Sequence, residues 1–118
     1  MNKNKESTRF FSNIQEQKVA KLLGGNVTAN SGATHWRKGD VQIPSASLLC
    51  ECKTVMQEKK SFSIQRDWVI KNKDEAFSNR LSNTCIAFSF DPDAKDVYFV
   101  INEKLMKFLV EKLSDDNT

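Results

Sequence analysis

The fold of this 118-residue chain is decided by residues 39 to 53, which read Gly39-Asp40-Val41-Gln42-Ile43-Pro44-Ser45-Ala46-Ser47-Leu48-Leu49-Cys50-Glu51-Cys52-Lys53. Two short apolar runs flank a Pro/Ser segment, which is the pattern of two strands joined by a turn. We therefore predict a β-hairpin whose loop is residues 44 to 47. In that register Ile43 lies opposite Leu48, and Asp40 lies opposite Glu51.

The predicted hairpin gathers charged side chains on one face of a sheet. Opposed residues of an antiparallel pair share a face, with Cβ atoms about 5 Å apart, and side chains alternate along each strand. Asp40, Glu51 and Lys53 therefore share one face, while the alternate residues of the second strand point toward a core. Adjacent carboxylates repel unless a cation lies between them, and hard divalent ions prefer oxygen ligands. We expect the chemistry on this face.

The composition is that of one soluble domain. Hydrophobic residues make up 39% and charged residues 28% of the chain, which are ordinary values. We expect a single domain over residues 1 to 118 with flexible ends at 1–8 and 114–118. No apolar run is long enough to span a membrane and no signal peptide is evident, so we expect a cytoplasmic protein.

An odd number of cysteines cannot all pair, so we predict reduced core residues at Cys50, Cys52 and Cys85.

The net charge of +3 is unevenly spread. Residues 1 to 60 hold ten Lys/Arg against five Asp/Glu, whereas residues 61 to 118 hold eight against ten. A basic half that also carries a carboxylate pair suits a polyanion such as nucleic acid. A charge of this size can equally serve solubility alone, so charge by itself leaves both interpretations open.

A first helix is predicted from Ser12, where a capping-box pattern begins, to Gly24-Gly25, which ends it. Val19 and Ala20 belong to its apolar stripe, and Glu16 falls in the middle of that stripe. A buried carboxylate needs a partner because a lone buried charge is costly. The alternative is a carboxylate near the helix start that is favoured by the macrodipole and reaches water. The pattern leaves both open.

Residues 31 to 39 form the predicted loop into the hairpin, after a short strand at residues 26 to 30. The loop concentrates glycines, small hydroxyls, the only His of the chain, a Trp and two basic residues. Backbone N–H groups and cations of such a loop can hold a phosphate. A zinc site of the usual kind is not expected with one His. We interpret His35 as a surface residue near phosphate.

The second half of the chain is predicted to complete one mixed sheet flanked by helices, an α/β fold. Further elements are predicted at residues 64 to 80 (helix capped by Ser63), 85 to 90 (covered strand), 97 to 101 (strand antiparallel to it) and after Asn102 (capped helix). In the helix at 64 to 80, Val69 and Ala76 stand seven residues apart, and Ile70 and Phe77 beside them mark the predicted core side. The final helix carries an apolar stripe of Leu105, Phe108, Leu109 and Leu113.

Four other polar or aromatic residues are interpreted from the pattern alone. Lys59-Lys60 is a basic pair of a kind that is usually solvated, so a DNA contact is the minority interpretation. Gln65, at a helix start, is a weak candidate to face the polar side of the hairpin. Trp68 is interpreted as a packing or interface residue.

The assembled motifs resemble the PD-(D/E)XK nuclease superfamily. Asp40 followed eleven residues later by Glu51-Cys52-Lys53 matches its D-(x)n-(E/D)-x-K signature. That pattern recurs by chance in charged proteins, but here it lies on two successive strands behind a helix that carries Glu16. The wider pattern over about residues 11 to 90 is similar to phage-type Holliday junction resolvase-like endonucleases, through Gln15-Glu16, Gly24-Gly25, Ser31-Gly32-Ala33, Lys38-Gly39-Asp40-Val41 and Lys60-Ser61-Phe62-Ser63. Gly39 occupies the position directly before the Asp, where the PD-(D/E)XK motif has a proline.

The resemblance implies a restriction-endonuclease-like core that hydrolyses DNA phosphodiesters as a two-fold homodimer, with Mg²⁺ or Mn²⁺ as cofactor. It implies metal ligands at Asp40, Glu51 and the backbone carbonyl of Cys52, with Glu16 in support. Lys53 would orient water or offset developing charge. Expected DNA contacts are Ser31, His35, Arg37, Lys38, Lys59, Lys60 and Gln65.

Two other functions fit the same sequence. One is a nuclease of this fold that acts on other DNA, in restriction, repair or end processing, because substrate choice depends on surface shape. The other is a non-catalytic DNA-binding protein of the same fold. The joint presence of Asp40, Glu51 and Lys53 argues against the second, because a decayed site is expected to lose at least one of them.

Overall fold

Three helices and five strands follow one another in the described part of this computed structural model, which comprises residues 3–28 and 40–117, with side chains from residue 9 onward. They are α1 (Lys3–Leu23), β1 (Asn26–Val27), β2 (Asp40–Ile43), β3 (Leu48–Lys53), α2 (Arg66–Ser78), β4 (Asn83–Phe88), β5 (Tyr98–Val100) and α3 (Glu103–Asp116). The predicted order of helices and strands is confirmed. The predicted loop at 31 to 39 lies outside the described residues.

The five strands form one sheet in the order β1-β2-β3-β4-β5. β3 and β4 run parallel, and the other neighbouring strands are antiparallel. The prediction of an α/β domain with one mixed sheet flanked by helices is therefore confirmed. In β4 the consecutive residues Cys85, Ile86 and Ala87 are all buried, as expected for a strand covered on both faces.

The β2–β3 hairpin has the predicted register. Asp40 pairs with Glu51, and Ile43 pairs with Leu48. The loop is a 3₁₀ turn that begins at Pro44, whose ring fixes φ near a helical value. Ser47 closes it in a left-handed conformation (φ 49°), with its N–H donating to the Pro44 carbonyl at 3.0 Å. This tight turn defines the register that places the two carboxylates side by side.

Helix α1 begins at Lys3, so the predicted start at Ser12 is wrong. Residues 3 to 11 contain neither Pro nor Gly and include several charged helix formers, so the helix extends past the capping-box pattern. The predicted end is confirmed. Gly24 follows the helix with φ +69°, the left-handed conformation that glycine adopts at low cost.

One face of the sheet packs against α1. Val19 and Ala20 of α1 form a buried cluster with side chains from β2, β3 and β4, including Val41, Ile43, Cys50, Cys52, Cys85 and Ala87. All three cysteines are free and buried, which confirms the prediction of reduced core residues. The pKa of the Cys85 thiol is raised above its ordinary value, first by its hydrogen bond with Cys50 and then by burial. The Cys85 thiol is therefore a packing group rather than a nucleophile.

Helix α2 begins at Arg66 with Gln65 as its N-cap, so the predicted cap at Ser63 is wrong. The reason is a contact made by the preceding segment. Phe62 stacks on Phe88 of β4 with ring centroids 4.7 Å apart. Residues 62 to 65 are not helical, and Gln65 has an extended backbone (φ −86°, ψ 132°), so the helix starts only at Arg66.

The other face of the sheet packs against α2, through Ala76 of the predicted stripe and through Asn72, which the apolar pattern did not indicate. Asn72 and Ala76 are the buried residues of α2, and Asn72 Nδ2 donates to the Cys85 carbonyl at 2.9 Å. This hydrogen bond and the small Ala76 side chain turn the helix so that Ile70 and Phe77 face outward. Phe77 is 86% exposed, and the prediction that these two residues belong to the core is wrong.

Helix α3 follows the predicted cap, because the Asn102 side chain accepts from the Leu105 N–H at 2.9 Å. Its apolar stripe is present, yet none of its residues is buried. Within residues 3–28 and 40–117, no helix combines the length and apolar character needed to cross a membrane.

Candidate functional site

The candidate site lies on the polar face of the β2–β3 hairpin. Asp40 is 4% exposed and pairs in register with Glu51, whose side chain is 12% exposed. Residues opposed in this way have Cβ atoms about 5 Å apart, so two carboxylates lie side by side and largely removed from water. Close, desolvated carboxylates destabilise one another unless positive charge or hydrogen-bond donors offset them. The pair is therefore suited to a cation.

Lys53 supplies positive charge beside this pair and is held by two contacts. Its Nζ lies 2.8 Å from Glu51 Oε2 and 4.3 Å from the centroid of the Trp68 ring. Trp68 lies in the first turn of α2, so this helix reaches the site through a cation–π contact. The sequence pattern indicated a packing or interface residue for Trp68 and not this contact, because a contact between β3 and α2 leaves no local signal.

An aromatic cluster places Trp68 over the site. Phe62 contacts Trp68 with ring centroids 6.0 Å apart and stacks on Phe88. Phe88 is the register neighbour of Lys53 across the β3–β4 pair, and it also contacts Tyr98 of β5. Rings that pack in this way are rigid and cost little entropy to hold in place. These ring contacts therefore hold Trp68 in the position from which it contacts Lys53.

Glu16 points inward, which agrees with the first of its two interpretations, a carboxylate on the buried stripe of the helix. It is 6% exposed, and because α1 begins at Lys3 it lies well inside the helix. The alternative of a helix-start carboxylate that reaches water is therefore wrong. Among the described residues, no group of three or more His, Cys, Asp or Glu side chains could hold a metal ion, so Glu16 does not complete a three-ligand metal site with Asp40 and Glu51.

Gln15 is a site neighbour that sequence reasoning did not single out for a role. It is fully buried, and its Oε1 accepts from Thr54 Oγ1 at 2.8 Å. Thr54 follows Lys53 directly, so this hydrogen bond joins α1 to the end of β3. The sequence signal was present but indirect, since Gln15 precedes Glu16 on the inward stripe.

Three of the predicted DNA contacts lie in the described part of the chain, and all three are exposed: Lys59, Lys60 and Gln65. The Gln65 carbonyl accepts from the Trp68 N–H at 3.1 Å, so Gln65 lies at the same end of α2 as Trp68. The Lys59 N–H donates to the Phe90 carbonyl at 2.7 Å. The remaining predicted contacts lie outside the described residues: Ser31, His35, Arg37 and Lys38.

The donor set of the hairpin fits a hard divalent cation. Mg²⁺ in proteins is commonly held by one or two carboxylates and completes its shell with water. A carboxylate has two acceptor oxygens, so Glu51 can hold Lys53 through Oε2 and a cation through Oε1. Asp40 and Glu51 are thus the residues that would hold the ion, and the predicted role of the Cys52 carbonyl stays a prediction.

The chain was also compared with known proteins. A scan against protein-family models, a search of the curated proteins and a search of the solved structures each find no match to it. Any assignment of function therefore depends on the geometry of its own residues.

Proposed function

We propose that this chain is a metal-dependent DNA endonuclease of the PD-(D/E)XK type whose preferred substrate is a four-way (Holliday) junction. The observation that carries the proposal is the pairing of Asp40 with Glu51 while Lys53 is bound to Glu51. Mg²⁺ or Mn²⁺ is the proposed cofactor. A homodimer matches the two-fold symmetry of the junction. The proposed setting is DNA recombination in a bacterial cytoplasm, with the chain encoded by a phage.

The proposed mechanism assigns one task to each residue of the hairpin. A divalent ion held by Asp40 and Glu51 would polarise the phosphoryl oxygen and activate a water. Lys53, held by Glu51 Oε2 and the Trp68 ring, would place its ammonium group against the charge that develops on the phosphate. Glu16 would support the site from α1.

Cleavage of defined DNA substrates tests the proposal. A labelled four-way junction, a linear duplex and single strands are incubated with Mg²⁺, Mn²⁺ or EDTA. We expect paired, symmetric cuts in the junction that require the metal. Equal cutting of linear duplex would favour a nuclease that acts on other DNA, and binding without cutting under any condition would favour a non-catalytic DNA-binding protein.

Trp68→Leu is expected to slow junction cleavage about two- to fivefold, because a cation–π contact is worth about 0.5–1 kcal/mol at a partly exposed site. Without the ring, the long Lys53 side chain samples more conformations, while Glu51 still attracts it. Single-turnover rates at saturating enzyme measure this step separately from DNA binding.

Two matched variants accompany Trp68→Leu. Trp68→Phe keeps an aromatic face and should retain most of the rate, and Phe77→Leu removes a ring that is exposed on the same helix and should change nothing. If Trp68→Phe is as slow as Trp68→Leu, or if the losses simply follow thermal stability, the contact does not position Lys53.

A further inference from the structure

The end of β3 that carries Lys53 is paired with a neighbouring strand on one side only. The last register pair with β2 is Asp40 with Glu51, whereas pairing with β4 continues to Lys53 and Phe88. Among the described residues, positions 52 and 53 therefore have no strand neighbour on the β2 side. The end of an element that lacks such a neighbour opens more easily than its centre. Any further contact that holds this end also holds the backbone of Lys53.

Gln15 of α1 makes a contact of this kind. Its Oε1 accepts from Thr54 Oγ1 at 2.8 Å, and Thr54 directly follows Lys53 in the chain. Gln15 is 0% exposed, so bulk water competes little for this hydrogen bond. Trp68 of α2 contacts the ammonium group of Lys53, whereas Gln15 holds the adjoining residue from the opposite face of the sheet. The two helices thus restrain Lys53 from both faces.

Only one half of the Gln15 amide is used in this contact. Its Nε2 is buried and has no hydrogen-bond partner among the described residues. An unpaired buried donor costs free energy, so a glutamine that serves packing alone is expected to have both halves of its amide bonded. The two amide atoms share one carbon, so the free N–H group also lies close to Thr54. DNA does not reach a fully buried group, and one water molecule is the partner of suitable size.

We infer that Gln15 is a positioning residue for the cleavage proposed above. Its Oε1 fixes the end of β3 through Thr54, and its Nε2 donates to one internal water molecule at the same place. Gln15 acts through Thr54 and Lys53, so it is not a catalytic residue. What Lys53 does in this assignment rests on the proposed function, whereas the contacts of Gln15 exist in the protein without DNA.

NMR of the folded protein tests the positioning without any DNA. A lysine held against an indole ring has its ε-methylene protons shifted upfield by the ring current, and Trp68→Leu gives the unshifted value for Lys53. Thr54→Val and Gln15→Met are expected to lose part of the upfield shift, because the end of β3 moves more freely. Thr54→Ser keeps the hydroxyl and should retain the shift. A wild type without the upfield shift, or equal shifts in Thr54→Val and Thr54→Ser, overturns the positioning.

The same spectra test the internal water molecule. The side-chain amide protons of Gln15 are expected to show a nuclear Overhauser effect to a long-lived water. Thr54→Val removes the one nearby hydroxyl that could relay this effect by exchange, so the effect should persist in this variant. Its absence from the wild type, or its loss in Thr54→Val, overturns the assignment of water to Nε2.

Single-turnover cleavage of the junction, well below the Tm of each variant, tests the functional consequence. Thr54→Val is expected to cut about three- to tenfold more slowly, the effect of one lost hydrogen bond, and Thr54→Ser to keep most of the rate. Gln15→Met should be at least as slow as Thr54→Val, and the double variant no slower than Gln15→Met alone, because both changes remove the same contact. Junction affinity in EDTA should not change.

The outcomes separate this role from the proposed function. If the wild type cuts the junction and both Thr54→Val and Gln15→Met cut as fast, with only their Tm lowered, Gln15 is a structural residue and the proposed cleavage stands. If the wild type cuts no DNA but the NMR shifts change as expected, the proposed cleavage fails and the positioning of Lys53 is supported.

Discussion

Glu51→Gln is expected to abolish metal-dependent cleavage, by about 10³-fold or more, while the variant stays folded and still binds a junction. Metal-ion catalysis contributes several kcal/mol to the transition state, and each 1.36 kcal/mol is tenfold in rate. Asp40→Asn is expected to have the same effect, because both carboxylates would hold the ion. Lys53→Ala is expected to cost about 10²- to 10³-fold, as the loss of one group that stabilises transition-state charge does. Single-turnover cleavage measures the rate, and a gel-shift assay with Ca²⁺ or EDTA measures binding.

A thermal measurement separates loss of the ion from loss of the fold. A ligand that binds only the folded state stabilises it, so Mn²⁺ or Mg²⁺ should raise the Tm of the wild type. Neither Asp40→Asn nor Glu51→Gln should show this rise.

Two variants away from the hairpin repeat the Asp→Asn and Lys→Ala substitutions at exposed positions and serve as controls. Asp93→Asn and Lys71→Ala alter exposed residues and should leave cleavage unchanged. Glu16→Gln should cause a smaller loss than Glu51→Gln, because Glu16 does not complete a three-ligand metal site with the hairpin carboxylates. If Glu51→Gln and Asp40→Asn cut as fast as the wild type, the hairpin is not the catalytic site. If they lose junction binding and thermal stability together, these carboxylates have a structural role.

The hairpin was predictable because its determinants are local. Alternation along two short strands, with a Pro/Ser turn between them, fixes which residues are opposed, and a shift by one residue would move every side chain to the other face. The pairing of Asp40 with Glu51, and Lys53 on their face, follows from that register. An inward Glu16 was one of the two interpretations that its place on the Val19–Ala20 stripe left open, and its burial decides between them.

The errors concern features that depend on distant contacts. The rotation of α2 is set by the hydrogen bond from Asn72 to the Cys85 carbonyl, and a polar residue at the buried position hides the stripe from a search for apolar periodicity. The contact of Trp68 with Lys53 joins a helix to a strand, and the sequence of neither segment predicts it. In α3 the sequence predicted the apolar stripe but not that its residues are exposed. Apolar periodicity identifies which face of a helix is apolar, and it does not show whether another part of the chain packs against that face.

Gly25 links α1 to the strand that pairs with β2, and its lack of a side chain permits a close approach. A Cβ atom at this position would lie 2.5 Å from the Gln42 carbonyl oxygen and 2.7 Å from Ile43 Cγ1. One of these neighbours is backbone, so rotation of a side chain cannot relieve the clash. Just beyond, the Thr28 N–H donates to the Asp40 carbonyl at 3.0 Å. The approach at Gly25 therefore supports the backbone that carries the first carboxylate of the site.

Gly25→Ala is expected to destabilise the fold by about 3 kcal/mol, the upper range for an overpacked core position, and to lower the Tm by roughly 10 °C. Because β1 has to move away from β2, the Thr28 amide should also lose protection in hydrogen exchange more than amides of β4 do. Gly24→Asn is the matched control: nothing lies within 4 Å of a Cβ there, and Asn tolerates the φ of +69°. Equal Tm values for Gly25→Ala and Gly24→Asn would show that β2 can shift at little cost. The site would then depend less on this contact than the distances indicate.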